Sequence, residues 1–242
     1  MSDANSILGH LRAVAGERQR RAESLDLEAC VRALKSYQQQ RFARTYADLL
    51  ATTRYGAASR FFLEELYGPT DFAERDAQFA RVVPALVRLF PQDIVATVNA
   101  LAQLHALSEA LDSAMATQLA ARTVDRAAYV AAWQATAHPE LREQQIALTV
   151  SVGEALDRLT RNPLVRHSLH MMRGPSRAAG LGELQRFLET GFDTFKAMRG
   201  AQEFLATVGT RERALASSLF SANLQDAVDE GRLCDTPLGQ LP

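Results

Sequence analysis

Five histidines, two cysteines and several close acidic pairs are the residues of this 242-residue chain that could do chemistry. His105 is the most suggestive. It lies in a run where Ile94, Val98, Leu101, Leu104, Leu111 and Met115 recur every three or four positions, the spacing of a helix. On that helix His105 shares the apolar stripe with Ser108 and Asp112, and Glu109 lies one turn further on. A histidine with an orienting carboxylate in an apolar setting can act as a general base or as an axial ligand. A core histidine satisfied by a neighbour produces the same pattern. An enzyme reading uses His105 with Glu109 or Asp112. No nucleophile can be placed beside them, so no catalytic residue is assigned.

A second group lies between Arg158 and Arg177. It holds Arg158, Arg161, Arg166, Arg173 and Arg177, with no acidic residue after Asp157. On a helix, Arg166, His170 and Arg173 share one arc, opposite Leu164, Val165, Leu169, Met171 and Met172. Such a face fits a phosphate, an acidic partner or an anionic lipid surface. Arginines paired with acids of other helices would look the same. His167 and His170 offer only two nitrogens among cationic neighbours, so no metal site is expected.

The third group is aromatic. Phe61, Phe62 and Tyr67 cover much of a short helix that ends at Gly68-Pro69. They predict either core packing or the wall of an apolar pocket shared with His105 and Asp112. Glu64 and Glu65 point about 100° apart and do not form an acid–base pair.

Several chemistries lack their signatures. There is no phosphate-cradling GxGxxG or P-loop, no HExxH and no GxSxG. No histidine follows a carboxylate by three positions, as a di-iron bundle requires. No CxxCH attaches haem, and no cofactor is expected, although a tetrapyrrole bound through His105 stays open. Cys30 and Cys234 form no CxxC, and reduced thiols are the simplest expectation.

The elements that must position these residues read as helical nearly throughout. The chain holds 41 Ala and 32 Leu, and 25 of its 27 basic residues are Arg, all good helix formers. Helices are predicted over about 6–20, 25–54, 57–67, 70–90, 91–121, 125–137, 140–160, 163–173, 181–198 and 201–224. Gly174-Pro175 is expected to break the eighth. The run Ile146, Leu148, Val150, Val152 has a strand's alternation, yet no second strand is available to pair with it. Read as a helix it is apolar nearly all round, which predicts a buried central helix. The expected fold is all-α, a single domain of about eight to ten packed helices over residues 1–242. Residues 1–24 are expected to be peripheral and 231–242 a loose tail.

FFLEELYG, followed by DF, RDAQ and LFP, resembles a family of bacterial all-helical hypothetical proteins. RGPSRAAGLGELQRFLETGF and ATVGTRERALASSLF are similar to its C-terminal half. The resemblance implies a helical domain of conserved length and no particular activity.

A formal net charge of −1 argues against a dedicated nucleic-acid binder. No signal-like or membrane-spanning run is apparent, so the chain is expected to be cytoplasmic and soluble. Three functions stay open. A non-enzymatic module would bind a protein partner or a second copy through the basic face. A carrier or sensor would hold an apolar ligand, a lipid or a tetrapyrrole, between helices. An enzyme would use His105.

Overall fold

A computed structural model of the chain describes residues 2–65, 72–119, 123–223 and 236–242. Among them are twelve α-helices and no strand. They are α1 (Ser2–Ala22), α2 (Leu25–Thr45), α3 (Ala47–Ala51), α4 (Gly56–Glu65), α5 (Ala73–Leu89) and α6 (Gln92–Ala116). Then come α7 (Arg126–Thr136), α8 (Pro139–Thr160), α9 (Pro163–Met171), α10 (Arg173–Ala178), α11 (Gly182–Ala197) and α12 (Gln202–Ser221). Pro237–Gln240 form a closing 3₁₀ turn.

The starts follow local chemistry. The side chains of Ser24, Asp125 and Asn162 accept hydrogen bonds from backbone N–H groups of the first turns of α2, α7 and α9. Pro139 and Pro163 stand at first helical positions, where a missing N–H costs nothing. Gly200, at φ +117°, turns the chain between α11 and α12.

The helix predicted over 25–54 is divided. α2 ends at Thr45, Tyr46 leaves helical geometry, and α3 follows. The interruption lets the Tyr46 hydroxyl donate to Glu212 on α12 at 2.7 Å. The break expected at Gly174-Pro175 falls earlier, at Met172, and Gly174 and Pro175 lie in the first turn of α10, where proline is tolerated.

The central helix is α6, which packs against α1, α2, α5, α7 and α8. It is the one described helix long and apolar enough, by length and composition, to cross a membrane. The segment 146–152 is helical, as part of α8, but α8 is not the buried centre. Glu143, Ala147, Ser151, Glu154 and Arg158 face solvent along one side. The other side meets α12 closely: a Cβ at Gly153 would stand 2.4 Å from Leu205, and one at Gly209 would stand 3.2 Å from Val150.

Both chain ends depart from expectation. α1 is not peripheral: it packs on α5 and α6, Ile7 and Val14 are fully buried, and Arg21 reaches a buried carboxylate. Its apolar side fills the groove between α5 and α6, and that burial holds it. Of the segment expected to be loose, 231–235 lie outside the described residues. The remainder is packed. Leu238 and Leu241 join Leu34, Tyr37, Tyr129, Leu215 and Leu219 in one core cluster. Arg44 and Arg126 donate to the Leu241 carbonyl.

A fully buried leucine cut to alanine costs about 3 kcal/mol in transfer and cavity terms. Leu241→Ala is therefore expected to lower unfolding free energy by about that amount, as much as Leu219→Ala. Urea denaturation checks this; a terminal segment that is not packed would leave the midpoint unchanged.

Candidate functional site

A cavity of about 210 Å³ runs through the interior along α6. Its walls come from α1, α2, the end of α4 at Glu65, α5, α6, α7, α8, α11 and α12. Much of the lining is apolar, including Leu86, Val98, Leu101, Leu104, Ile146 and Phe187. Two polar groups interrupt it.

The first is centred on His105. Its Nε2 lies 2.7 Å from Asp76 Oδ2 on α5. The same oxygen accepts from Arg18 at 2.7 Å, and Arg75 approaches the other at 3.7 Å. Burial pushes the Asp76 carboxyl up, but hydrogen bonds and charge from His105 and Arg18 outweigh it and hold the group below its ordinary range. The guanidinium of Arg75 lies over the Phe72 and Phe187 rings, at 3.9 and 4.4 Å from their centroids.

The second polar group lies deeper. Glu109 accepts from Lys35 at 2.5 Å and from Arg21 at 2.6 Å. Burial raises its pKa, yet the two cations bring it down to about 2. Asp112 accepts from Gln38 at 3.1 Å and has Lys35 at 3.9 Å. There burial dominates, and the Asp112 carboxyl is pushed up despite Lys35. Arg142, 4 % exposed, lies 4.0 Å from the centroid of the Trp133 ring and donates to Gln145 at 3.2 Å. Gln145 in turn donates to Ser108 at 2.8 Å. Arg41 is held by Glu212 across α2 and α12.

The structure redistributes the sequence-derived candidates. His105 and Asp112 both line the cavity but belong to different polar groups. The partner of His105 is neither Glu109 nor Asp112, both committed to α1 and α2 side chains. It is Asp76, which i+4 spacing within one helix could not reveal. Phe61 and Phe62 are not on the cavity wall. They are 6 % and 3 % exposed in a core with Phe42, Phe195 and Phe204, because α4 turns them onto α11 and α12: Phe61 stacks on Phe187 at 5.6 Å, and Phe62 meets Phe204 edge-on at 5.5 Å. Tyr67 lies outside the described residues. The aromatic wall is instead Phe72, Phe79, Tyr129, Trp133 and Phe187. An aromatic at helical spacing near an apolar stripe was the available signal; only packing chooses among them.

The basic face is present and exposed, but its arginines are partly engaged. Arg166 lies 3.5 Å from Asp193, and Arg173 donates to Glu189 at 2.6 Å. His170 and Arg177 are exposed. Among the described residues no three His, Cys, Asp or Glu side chains gather as metal ligands. Cys30 is buried, and Cys234 lies outside the described residues.

The profile of a domain of unknown function, DUF8198, matches residues 17–226. The chain belongs to that family. Its uncharacterised status agrees with the resemblance noted in the sequence, and the match spans every helix that lines the cavity except most of α1, whose Leu11 lies outside it. No curated protein and no solved structure matches the chain.

The Glu109 cluster sets a pH prediction. A carboxylate whose native pKa is depressed stabilises the fold above its unfolded pKa, about 4.5 for Glu109, and loses that contribution as pH falls toward the native value. From about 4.5 to about 2, this amounts to about 3 kcal/mol, lost between about pH 5 and pH 2. Glu109→Gln is expected to be destabilised at neutral pH, because Arg21 and Lys35 lose their counter-charge. The difference between wild type and variant should shrink toward pH 2. Chemical denaturation at stepped pH reads it, and a pH-independent difference would refute the ion cluster.

Proposed function

We propose that this protein is a non-catalytic carrier or sensor of a small elongated molecule, largely apolar with a polar end, bound in the cavity along α6. The observation behind this reading is the cavity's composition. An apolar corridor carries a few fixed polar groups, the Asp76–His105 pair toward α5 and the Ser108–Gln145–Arg142 chain toward α8. Such a mixture is what orients and selects a ligand in an otherwise greasy site. Polar groups held by one another keep their geometry before a ligand arrives, so little ordering is left to oppose binding.

The basic face on which a protein-interaction module would dock has its Arg166 and Arg173 side chains already against Asp193 and Glu189. The cavity therefore supports a function more directly than that face does. A tetrapyrrole bound through His105 has less support than a lipid-like molecule. Nε2 of His105 is occupied by Asp76, leaving Nδ1, the nitrogen nearer the main chain, for an axial bond.

A second reading rests on the same pair. A histidine oriented by a buried carboxylate on the wall of a cavity is also the arrangement of a general base. Its reaction class would be proton abstraction from the bound molecule.

Trp133 is the only tryptophan, and it lines the cavity. Its emission therefore reports occupancy. Titration with a medium-chain fatty acid is expected to give a saturable change. Ile146→Phe and Ala216→Phe, which fill the cavity from α8 and α12, should weaken it by about tenfold or more, or about 1.4 kcal/mol. No change with fatty acids, with a fatty alcohol or with haem would refute the carrier. Recovering the ligand chemically altered after incubation with wild type, but not with His105→Ala, would favour the general base.

A further inference from the structure

α9 stands apart from the other long helices because none of its residues is buried. It lies on α8, α10 and α11. Val165 and Leu169, half-buried, form its inner side. Its outer side is apolar. Leu164 is 70 % exposed and Met171 66 %, with Met172, at the helix end, 42 %. Leu164 and Met171, seven positions apart, share one line along the helix, about 20° from each other, and Ser168 lies between them.

The remaining arc is basic. Arg166, His167 and His170 lie on it, and Arg173 follows directly. From residue 158 to 182 the chain carries five arginines and no acid. Asp193 and Glu189 of α11 sit beside Arg166 and Arg173, yet both arginines stay about half exposed, with side-chain exposures of 58 % and 46 %. Among the described residues Arg158 and Arg177 form no ion pair.

We propose that α9 is a membrane-surface contact that lays Leu164, Met171 and Met172 into an anionic lipid bilayer. Apolar residues standing out from a convex helix, with guanidinium groups flanking them, have the chemistry of an interfacial helix. A folded partner would need a groove shaped to this strip. A bilayer needs none, because acyl chains close around whatever enters. The strip is made of flexible Leu and Met side chains, and the flanking arginines meet lipid phosphates at the depth where headgroups lie. The contact is independent of the cavity, and its test needs no cavity ligand.

Co-sedimentation of the full chain with vesicles tests it. Vesicles of equal parts phosphatidylglycerol and phosphatidylcholine are expected to bind at least about fivefold more protein than phosphatidylcholine alone, with loss at high salt. Leu164→Glu and Met171→Glu should each cut binding to the anionic vesicles by about fivefold or more. Arg158→Ala with Arg177→Ala should weaken it and flatten its salt dependence. All four positions are exposed, so circular dichroism should stay that of wild type. Absence of binding to the anionic vesicles overturns the proposal. So does binding that survives both glutamate variants. A wild-type dimer in solution that Leu164→Glu converts to monomer would assign the strip to a second copy and overturn it too.

Discussion

Glu109 sits 4 % exposed on the central helix, and its charge there has to be matched from elsewhere. An isolated carboxylate in an apolar interior would cost several kcal/mol. Asp112, less than one turn later and also buried, adds a second acidic group that Glu109 opposes. Lys35 stands between the two, Arg21 completes Glu109, and Gln38 completes Asp112. This cluster dictates where α1 and α2 lie. α1 must deliver Arg21 and α2 must deliver Lys35 and Gln38 to the same stretch of α6. An apolar α6 could slide along its neighbours by a turn at modest cost. One carrying these carboxylates cannot, since any slip would leave a buried charge without its partner.

The cavity follows from the same constraint. Side chains that meet one another end to end across a bundle, as Arg41 and Glu212 do, hold their helices at the reach of two long residues. Small residues such as Ala102 and Ala216 line the gap and do not fill it. The corridor is thus bounded by groups with fixed partners. Asp76 fixes the His105 ring, Gln145 and Trp133 hold the Arg142 guanidinium, and Arg75 lies across two phenylalanine faces. Most of these polar edges are already satisfied, which makes the space receptive to an apolar body, while Trp133 Nε1 and Arg41 Nε on the wall have no hydrogen-bond partner and suit a polar end.

Much of the fold was legible in the sequence, and the reason is local. Alanine and leucine at helical spacing, Asp125 and Asn162 before helix starts, and Pro139 and Pro163 at first positions act within one turn, so a single sequence exposes them. The site was legible only halfway. His105 stood out because it interrupts an apolar stripe, and it does line the cavity. Its partner did not stand out, since Asp76 is 29 residues away and reads as an ordinary acid in a first turn. Arg21 and Glu109 are 88 residues apart, and Lys35 and Glu109 are 74. Nothing in either neighbourhood signals such pairing. Phe61 and Phe62 misled for a related reason: an aromatic that walls a cavity and one that packs a core have the same helical spacing, and only the placement of α11 and α12 separates them. α8 misled differently, because Ala147 and Ser151 on its outer side imitate burial without being buried.

α11 joins the two regions of the protein that the sequence treats as unrelated. One side of it supplies Leu184 and Phe187 to the cavity wall. Another holds α9 and α10: Gln185 donates to the Leu169 carbonyl and accepts from Ser176, Glu189 takes Arg173, and Asp193 faces Arg166. The helix has little freedom to respond to one region alone. Gly191 lets it approach Phe61 so closely that a Cβ there would stand 3.1 Å from the ring, and Phe195 anchors its far end in the core. The side of α11 that meets the cavity at Phe187 and the side that holds α9 thus belong to one anchored helix. The exposed basic segment and the buried corridor are mechanically adjacent although the residues that define them, around 105 and around 166, are far apart in the chain.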